Sequence, residues 1–382
     1  MKRVFAMALV MITLAVMPVQ ASAAGLQVAG KSSVLMDVAT GTVLQENNAH
    51  EPLAPASVTK IMTMLLIMEA VDSGKIAMSD MVTASETAAA KGGSQIYLKA
   101  GETMSVSDML KSIAVSSAND CACAMAEHLA GSEAAFVEQM NSRAKELGME
   151  NTRFVNCTGL DDGPDADQHR TSAYDIALMS RELMRNHPDI RKFTTIWMDT
   201  VRDGAFGLSN TNKLIRFYQG ATGLKTGFTS GAGYCLSATA EREGMELIAV
   251  VMGADTSAGR NEACKQLLDY GFANFAVIRP ELPESEPIPV KLGKKESVEA
   301  VLENVEGILV DKGQKASISM SLSVEPFVEA PVSQGQRLGT LTLKAGEQVL
   351  QEVPLVAEEA VERLTFGDLF RMVLKRASMA NV

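Results

Sequence analysis

The rhythm of apolar and polar positions changes several times along the chain, and each change marks a different element. SSVLMDVATGTVLQEN has apolar stretches on either side of Ala39-Thr40-Gly41, which predicts a hairpin. Ser57 to about Asp72 reads as helix. Further helices are predicted in SVSDMLKSIAV, in DCACAMAEHLAG and in EAAFVEQMNSRAKELG, where Phe136, Met140, Ala144 and Leu147 keep a helical period. Gly131 and Gly148 are the expected stops, and AYDIALMSRELMRNHPDI adds a helix that closes near Pro188. GYCLSATAEREGMELIAVVMGA then reads as two strands joined across Glu241-Arg242-Glu243-Gly244. Strands at both ends of a helical middle predict an α/β or α+β domain over residues 27–275, its sheet assembled from distant segments.

The pattern shifts again at VIRPELPESEPIPV, where Pro280, Pro283, Pro287 and Pro289 stand among acidic residues. This predicts a linker over 276–289. Beyond it Ile318, Met320, Leu322 and Val324 alternate with serines, and Leu341 and Leu343 with threonines. Period-two alternation of this kind predicts a small antiparallel β-sandwich over 290–357. In the last segment, 358–382, Phe366, Leu369, Phe370, Val373 and Leu374 fall on one helical stripe, with Arg371, Lys375 and Arg376 off its centre. Such a helix either lies in a membrane interface or docks on its own β domain, and the basic, terminal position favours the membrane surface.

Composition narrows the class. At 382 residues, 47% hydrophobic and 21% charged, the chain has ordinary globular chemistry but more length than one core usually organises. Lys2 and Arg3, an apolar run from Val4 to about Met17, and Ala21-Ser22-Ala23 form a secretory-signal pattern over residues 1–23, which predicts an exported protein. Removing those two basic residues and no acidic ones takes the formal charge from −11 to −13, which argues against nucleic acid as a partner. Export would permit disulfides among Cys121, Cys123, Cys157, Cys235 and Cys264. Cys121 and Cys123 point to different sides of one predicted helix, however, and the five are read as small buried hydrophobes. His50, His128, His169 and His187 lie far apart and none is at finger spacing from a cysteine pair, so no metal site and no cofactor is predicted.

The candidate chemistry begins at PASVTK, where Ser57 and Lys60 stand one helical turn apart. Ser57 is either the cap of the following helix or a nucleophile with Lys60 as its base. The base role requires a neutral amine, and the apolar run 61–67 supplies dry surroundings that would lower its pKa. No Gly-x-Ser-x-Gly elbow occurs and no histidine lies in a nucleophile motif. Two further loops carry polar groups. SSAND holds Ser117 and Asn119 between two predicted helices, and GLKTGFTSGAGY holds Lys225, Thr226 and Gly227 before a strand pair. A phosphate-binding loop is excluded at the latter because Gly223 and Lys225 are not adjacent.

Ser-x-x-Lys, Ser-x-Asn and Lys-Thr-Gly, in that order, are the signature of penicillin-binding proteins and serine β-lactamases. With GGSQIYL (92–98), MNSRAKELGMENTRFVNCTGLD (140–161) and GLKTGFTSGAGYCLSATA (223–240), the chain resembles the low-molecular-weight penicillin-binding proteins that are D-alanyl-D-alanine carboxypeptidases of peptidase family S11. The resemblance implies a penicillin-binding-protein-like transpeptidase fold at the outer face of the cytoplasmic membrane. It implies that Ser57 attacks the carbonyl between the last two D-alanines of a peptidoglycan stem peptide, that Lys60 takes the proton and that Ser117 relays it. Asn119, Lys225, Thr226, Gly227, Thr229 and Arg260 would then contact substrate, the glycine letting it approach the backbone. Backbone N–H groups of Ser57 and Phe228 would hold the oxyanion, and β-lactams would acylate Ser57. Many relatives carry His where Phe228 stands. The alternatives are a D,D-endopeptidase, differing in leaving group, and a scaffold that recognises penicillin without catalysis. A class A β-lactamase is disfavoured because no Glu is placed by motif to deacylate and a second domain follows.

Overall fold

The computed structural model describes residues 26–282, 286–303 and 307–379; the predicted export signal, 1–23, lies outside them. The longer elements of the first unit are β1 (Ser32–Asp37), β2 (Val43–Asn47), α1 (Lys60–Asp72), α2 (Val106–Ser116), α3 (Asn119–Ala130), α4 (Glu133–Glu146), α5 (Ala173–Asn186), β3 (Ala221–Thr229), β4 (Gly233–Arg242), β5 (Met245–Ala254) and α6 (Ser257–Asn274). The strands form one antiparallel sheet in the order β2-β1-β5-β4-β3, which joins the first hairpin to segments two hundred residues later.

Strand β5, MELIAVVMGA, is apolar at nearly every position because both of its faces are covered. Val34, Met36, Ile248, Val250 and Met252 point into the large helical core, while Leu35, Leu247, Ala249 and Val251 point the other way, onto α6. The period-two alternation therefore separates two cores rather than core from solvent. Helix α1 is apolar almost all round, and Ile61, Met62, Met64, Leu65, Ile67 and Met68 are fully buried in the helical layer. Three of the helices are capped by serine: Ser105, Ser132 and Ser172 each accept an N–H from the first turn of the helix they precede.

Two boundaries and one strand direction differ from the sequence expectation. The expected linker 276–289 is strand at both ends. Phe275–Ile278 leaves α6 and pairs with Ile308–Asp311, and Ile288–Lys291 opens a three-stranded sheet. Prolines and acids predicted a connector, but the apolar Phe-Ala-Val-Ile before them has a strand partner. Second, the β unit is not wholly antiparallel, since Val290 and Lys291 pair in parallel with Val328 and Glu329. Its four-stranded sheet, Ala300–Leu302, Gln348–Ala357, Arg337–Ala345 and Ile318–Val324, is antiparallel as expected. Third, the last helix spans Phe366–Met379, not 358 onward; Val361 is buried in the β unit and bridges Val332, and Arg363 bridges Gly293.

Candidate active site

The chain reaches Ser57 through a strained turn. Ala56 is buried at φ +47°, a conformation that costs a residue with a β-carbon energy, and a 3-10 turn over Ala56–Thr59 leads into α1. The N-cap of α1 is Thr59, and no side chain caps it. Ser57 is thus free of the capping role its position suggested. Its Oγ instead accepts a hydrogen bond of 3.0 Å from Lys60 Nζ, which also donates to the Thr158 carbonyl at 2.7 Å. Lys60 is wholly buried. Burial lowers its pKa to about 7, against the smaller opposing pulls of Cys157 and Asp120.

The second loop forms where α2 gives way to α3. Ser117 ends α2 in the left-handed region (φ +63°), and Ala118 occupies the N-cap of α3 with no side-chain bond, so Ser117 does not cap the helix either. Ser117 and Asn119 are 3% and 2% exposed, yet Ser117 Oγ and Asn119 Oδ1 have no hydrogen-bond partner among the described residues. Buried polar atoms of this kind are rare and point to function. Asn119 is held by its other end: Nδ2 donates to Gly92 O at 2.7 Å, and its N–H donates to Ser94 O at 2.7 Å.

Strand β3 closes the third side. Gly227 is required here, because a Cβ at that position would lie 2.8 Å from the Pro55 carbonyl oxygen and 3.1 Å from the Ser57 nitrogen. The absence of a side chain lets β3 lie against the turn that carries Ser57. Thr226 Oγ1 donates to Thr211 Oγ1 at 2.7 Å, and Thr211 N–H donates to Val115 O, which ties the strand to the end of α2. Lys225 is fully buried and donates to Thr226 O at 2.9 Å. Its pKa is driven well below the usual lysine range by burial, then by the positive charges of Lys60 and Arg260. Lys225 therefore feels both of the other two cationic groups.

Arg260, on α6, is 4% exposed; it donates to Asn261 Oδ1, Ser257 Oγ and the Cys235 carbonyl, and its guanidinium lies 5.8 Å from the Tyr234 ring centre. Phe228 is half exposed, with its ring 4.3 Å from that of Tyr234. Thr229 ends β3, where its hydroxyl accepts the Ala232 N–H and shapes the turn into β4.

Residues not singled out in the sequence support this arrangement. His169 is buried, and burial, with Arg170 and Lys60, lowers its pKa to about 4. Its Nδ1 accepts from Val155 N–H at 3.1 Å, so Nε2 carries the proton and donates to Thr59 Oγ1 at 2.8 Å. The Thr59 hydroxyl in turn donates to Ala56 O at 2.8 Å. This relay fixes the strained turn next to Ser57. Asn156 Oδ1 accepts from the N–H groups of Thr158 and Gly159 at 3.1 and 2.6 Å, shaping the loop whose carbonyl receives Lys60. An Asn two residues before Thr158 was the available signal; His169 had none, since its partners come from two separate segments.

No cysteine pairs in a disulfide, and all five are buried, as expected. Away from the cleft, Glu69, Glu182 and His187 bring ligand-type atoms within 4.8 Å of one another. Arg143 already bonds both carboxylates, at 2.7 and 2.6 Å, and His187 Nδ1 meets Asp72, so ion pairs satisfy the group.

Comparison with known proteins gives the family and the fold. A family model described as D-alanyl-D-alanine carboxypeptidase, Peptidase S11, matches residues 17–256. The chain belongs to this family. A second model, the C-terminal domain of penicillin-binding protein 5, matches residues 283–363. The D-alanyl-D-alanine carboxypeptidase DacF of Bacillus subtilis (strain 168) is 46% identical over 343 residues, covering 88% of this chain and 87% of that protein. Among solved structures, penicillin-binding protein 5 from Haemophilus influenzae superposes with a TM-score of 0.72 at 32% identity, over 88% of this chain and 99% of that one. Penicillin-binding protein D2 from Listeria monocytogenes in its ampicillin-bound form gives 0.59 at 34% identity, over 65% and 99%. The S11 fold, a mixed α and β penicillin-binding unit followed by an all-β domain, is the one expected from the sequence.

Proposed function

We propose that this S11 peptidase is a serine-type D-alanyl-D-alanine carboxypeptidase that removes the terminal D-alanine of peptidoglycan stem peptides and is acylated by β-lactams. The observation that carries the reading is the Lys60 Nζ to Ser57 Oγ hydrogen bond inside a dry pocket that holds the amine near neutrality. Ser57 Oγ attacks the carbonyl of the penultimate D-alanine while Lys60 takes its proton. The close approach of Gly227 to the Ser57 nitrogen supports an oxyanion site made from the N–H groups of Ser57 and Phe228. Collapse of the tetrahedral intermediate breaks the C–N bond, D-alanine leaves with a proton passed through Ser117, and water then hydrolyses the ester.

The unpartnered Ser117 Oγ and Asn119 Oδ1 are the groups that meet the proton relay and the substrate amide. Lys225 and Arg260, with Thr226 and Thr229, face the terminal carboxylate. An arriving carboxylate would oppose the burial and like charges that lower the Lys225 pKa, and so would favour its charged form. Export through residues 1–23 and membrane association through the last helix complete the reading. Phe366, Phe370 and Val373 are 85%, 57% and 65% exposed, an apolar face not covered by the β unit.

The test is release of D-alanine from diacetyl-Lys-D-Ala-D-Ala by the full chain, with Ser57→Ala as control, together with mass spectrometry after exposure to penicillin. D-alanine release by wild type alone, and a penicillin adduct on the peptide containing Ser57, are expected. An adduct on another peptide, or rapid penicillin hydrolysis without an adduct, rejects the assignment. Wild type that binds penicillin covalently yet releases nothing from any stem peptide would be a scaffold.

A further inference from the structure

Segment 92–98, next to the Ser117-Asn119 loop, ends in a feature that the proposed reaction leaves unused. Tyr97 sits at φ +60° with 67% of its surface exposed. An aromatic residue rarely adopts that conformation, and the strain persists only where neighbours over-determine it. Here they do so from both sides. The buried Asp120 carboxylate, adjacent to Asn119, accepts the N–H groups of Ile96 at 3.1 Å and Leu98 at 3.0 Å. From the opposite side Arg202 donates to the carbonyls of Ile96 at 2.8 Å and Tyr97 at 3.3 Å, and to both oxygens of Glu102. Arg202 is itself in the left-handed region, φ +56°, on the loop between the strands Met198–Val201 and Phe206–Ser209. Two strained residues thus hold each other in place.

Their product is an open cleft of about 710 Å³ lined by Tyr97, Phe206, Lys99, Glu102 and Arg202. The Tyr97 and Phe206 rings stand edge to face, 6.4 Å apart, and Arg202 lies 5.4 Å from the Phe206 ring centre. The exposed Tyr97 ring beside the partly buried Phe206, bordered by the charged groups of Lys99, Glu102 and Arg202, suits a ligand with an apolar C–H face and a polar rim. A pyranose ring has that character, with hydroxyl and N-acetyl groups at its edge. Because Asp120 fixes the Tyr97 loop and follows Asn119 directly, the cleft is coupled rigidly to the wall of the catalytic pocket. Asn119 N–H also donates to Ser94 O, three residues before Tyr97, so the cleft begins one short segment away from the loop that the proposed reaction places against the peptide.

We propose that the Tyr97–Phe206 cleft is a subsite for the amino-sugar strand to which the stem peptide is joined, so that the enzyme prefers sugar-bearing substrate over the bare peptide. The inference rests on the proposed action upon peptidoglycan. The full chain is assayed on one pentapeptide in two forms, free and attached to an N-acetylglucosamine–N-acetylmuramic acid disaccharide, as wild type, Tyr97→Ala and Tyr97→Phe. Tyr97→Ala keeps the backbone demand of a β-carbon and removes only the ring. The ratio of kcat/KM, disaccharide form over free form, is expected to fall about tenfold in Tyr97→Ala and to survive in Tyr97→Phe, the scale of one lost stacking contact. An equal fall on both forms, or no fall, overturns the subsite. Calorimetric titration with the disaccharide alone reads the subsite without catalysis. Tyr97-dependent saturation supports it even if no D-alanine is ever released, and no saturable binding to wild type counts against it.

Discussion

The two units of this chain bury different kinds of group. Among the described residues every buried polar or charged side chain lies between Ser32 and Arg260, and the β unit that follows has apolar cores made of residues such as Val290, Val298, Leu338, Leu341, Leu343 and Leu355. Burying lysine, arginine and unpartnered hydroxyls costs stability, and packing hydrophobes does not. The buried polar groups of the first unit include Lys60, Ser117, Asn119, Lys225 and Arg260 of the candidate site, and others such as Asp175, Ser180 and Asn210 that serve the helical layer. The difference separates a unit that gives up stability to bury polar and charged groups from one whose described core is apolar.

The sharpest way to break this contrast is to remove the buried amine. Lys60→Met is expected to lower kcat/KM by at least ~10³-fold, the usual scale for loss of a catalytic base. The same variant should gain thermal stability relative to wild type at pH 6. Between pH 7 and the ordinary lysine value near 10.5, the unfolded chain holds a proton that the folded chain does not, so the group's contribution to stability rises with pH. The gain from Lys60→Met should therefore shrink from pH 6 to pH 9, as thermal melts across that range would read. In wild type, kcat/KM should climb as pH rises through about 7, following loss of the Lys60 proton.

Next in size is Gly227→Ala, whose added carbon would crowd the Pro55 carbonyl and the Ser57 nitrogen. A loss of about 10²-fold in kcat is expected, since small misplacements at an oxyanion site have that effect. Phe228→Ala should stay within about fivefold if its backbone N–H is what matters, its ring being half exposed. His169→Leu comes third. Removing the donor to Thr59 loosens the Ala56 turn, and a fall of about tenfold in kcat is expected, with the pH midpoint near 7 unmoved because Lys60 keeps its own surroundings. A shifted midpoint would mean that His169 takes part in proton transfer.

The smallest effect on activity belongs to the other unit. Leu341→Ala should cost about 3 kcal/mol in chemical denaturation of the β unit while leaving kcat/KM within about twofold. An activity loss matching the stability loss would show that the units are not separable in this way.

How much of this was legible in the sequence follows the range of the interactions. Ser57 and Lys60 are three residues apart, and an apolar helix that announces its own burial also announces a lowered lysine pKa. The hairpin, the capped helices and the β4–β5 pair are local in the same sense. Long-range partners left no such trace. Thr158 O reaches Lys60 across 98 positions and His169 reaches Thr59 across 110, through groups that any loop might carry. The linker was misread for a related reason: Phe275–Ile278 looks like the frayed end of a helix until Ile308–Asp311 supplies the other half of its ladder. The start of the last helix was set too early because Val361 and Arg363 pair with strand positions far upstream.

That ladder has a mechanical consequence. The polypeptide leaves the S11 unit already zipped, residue for residue from Phe275 to Ile278, into the β unit. The junction is therefore a paired strand and not a slack tether at this point: helix α6, which carries Arg260, runs without a break into the first ladder of the β unit.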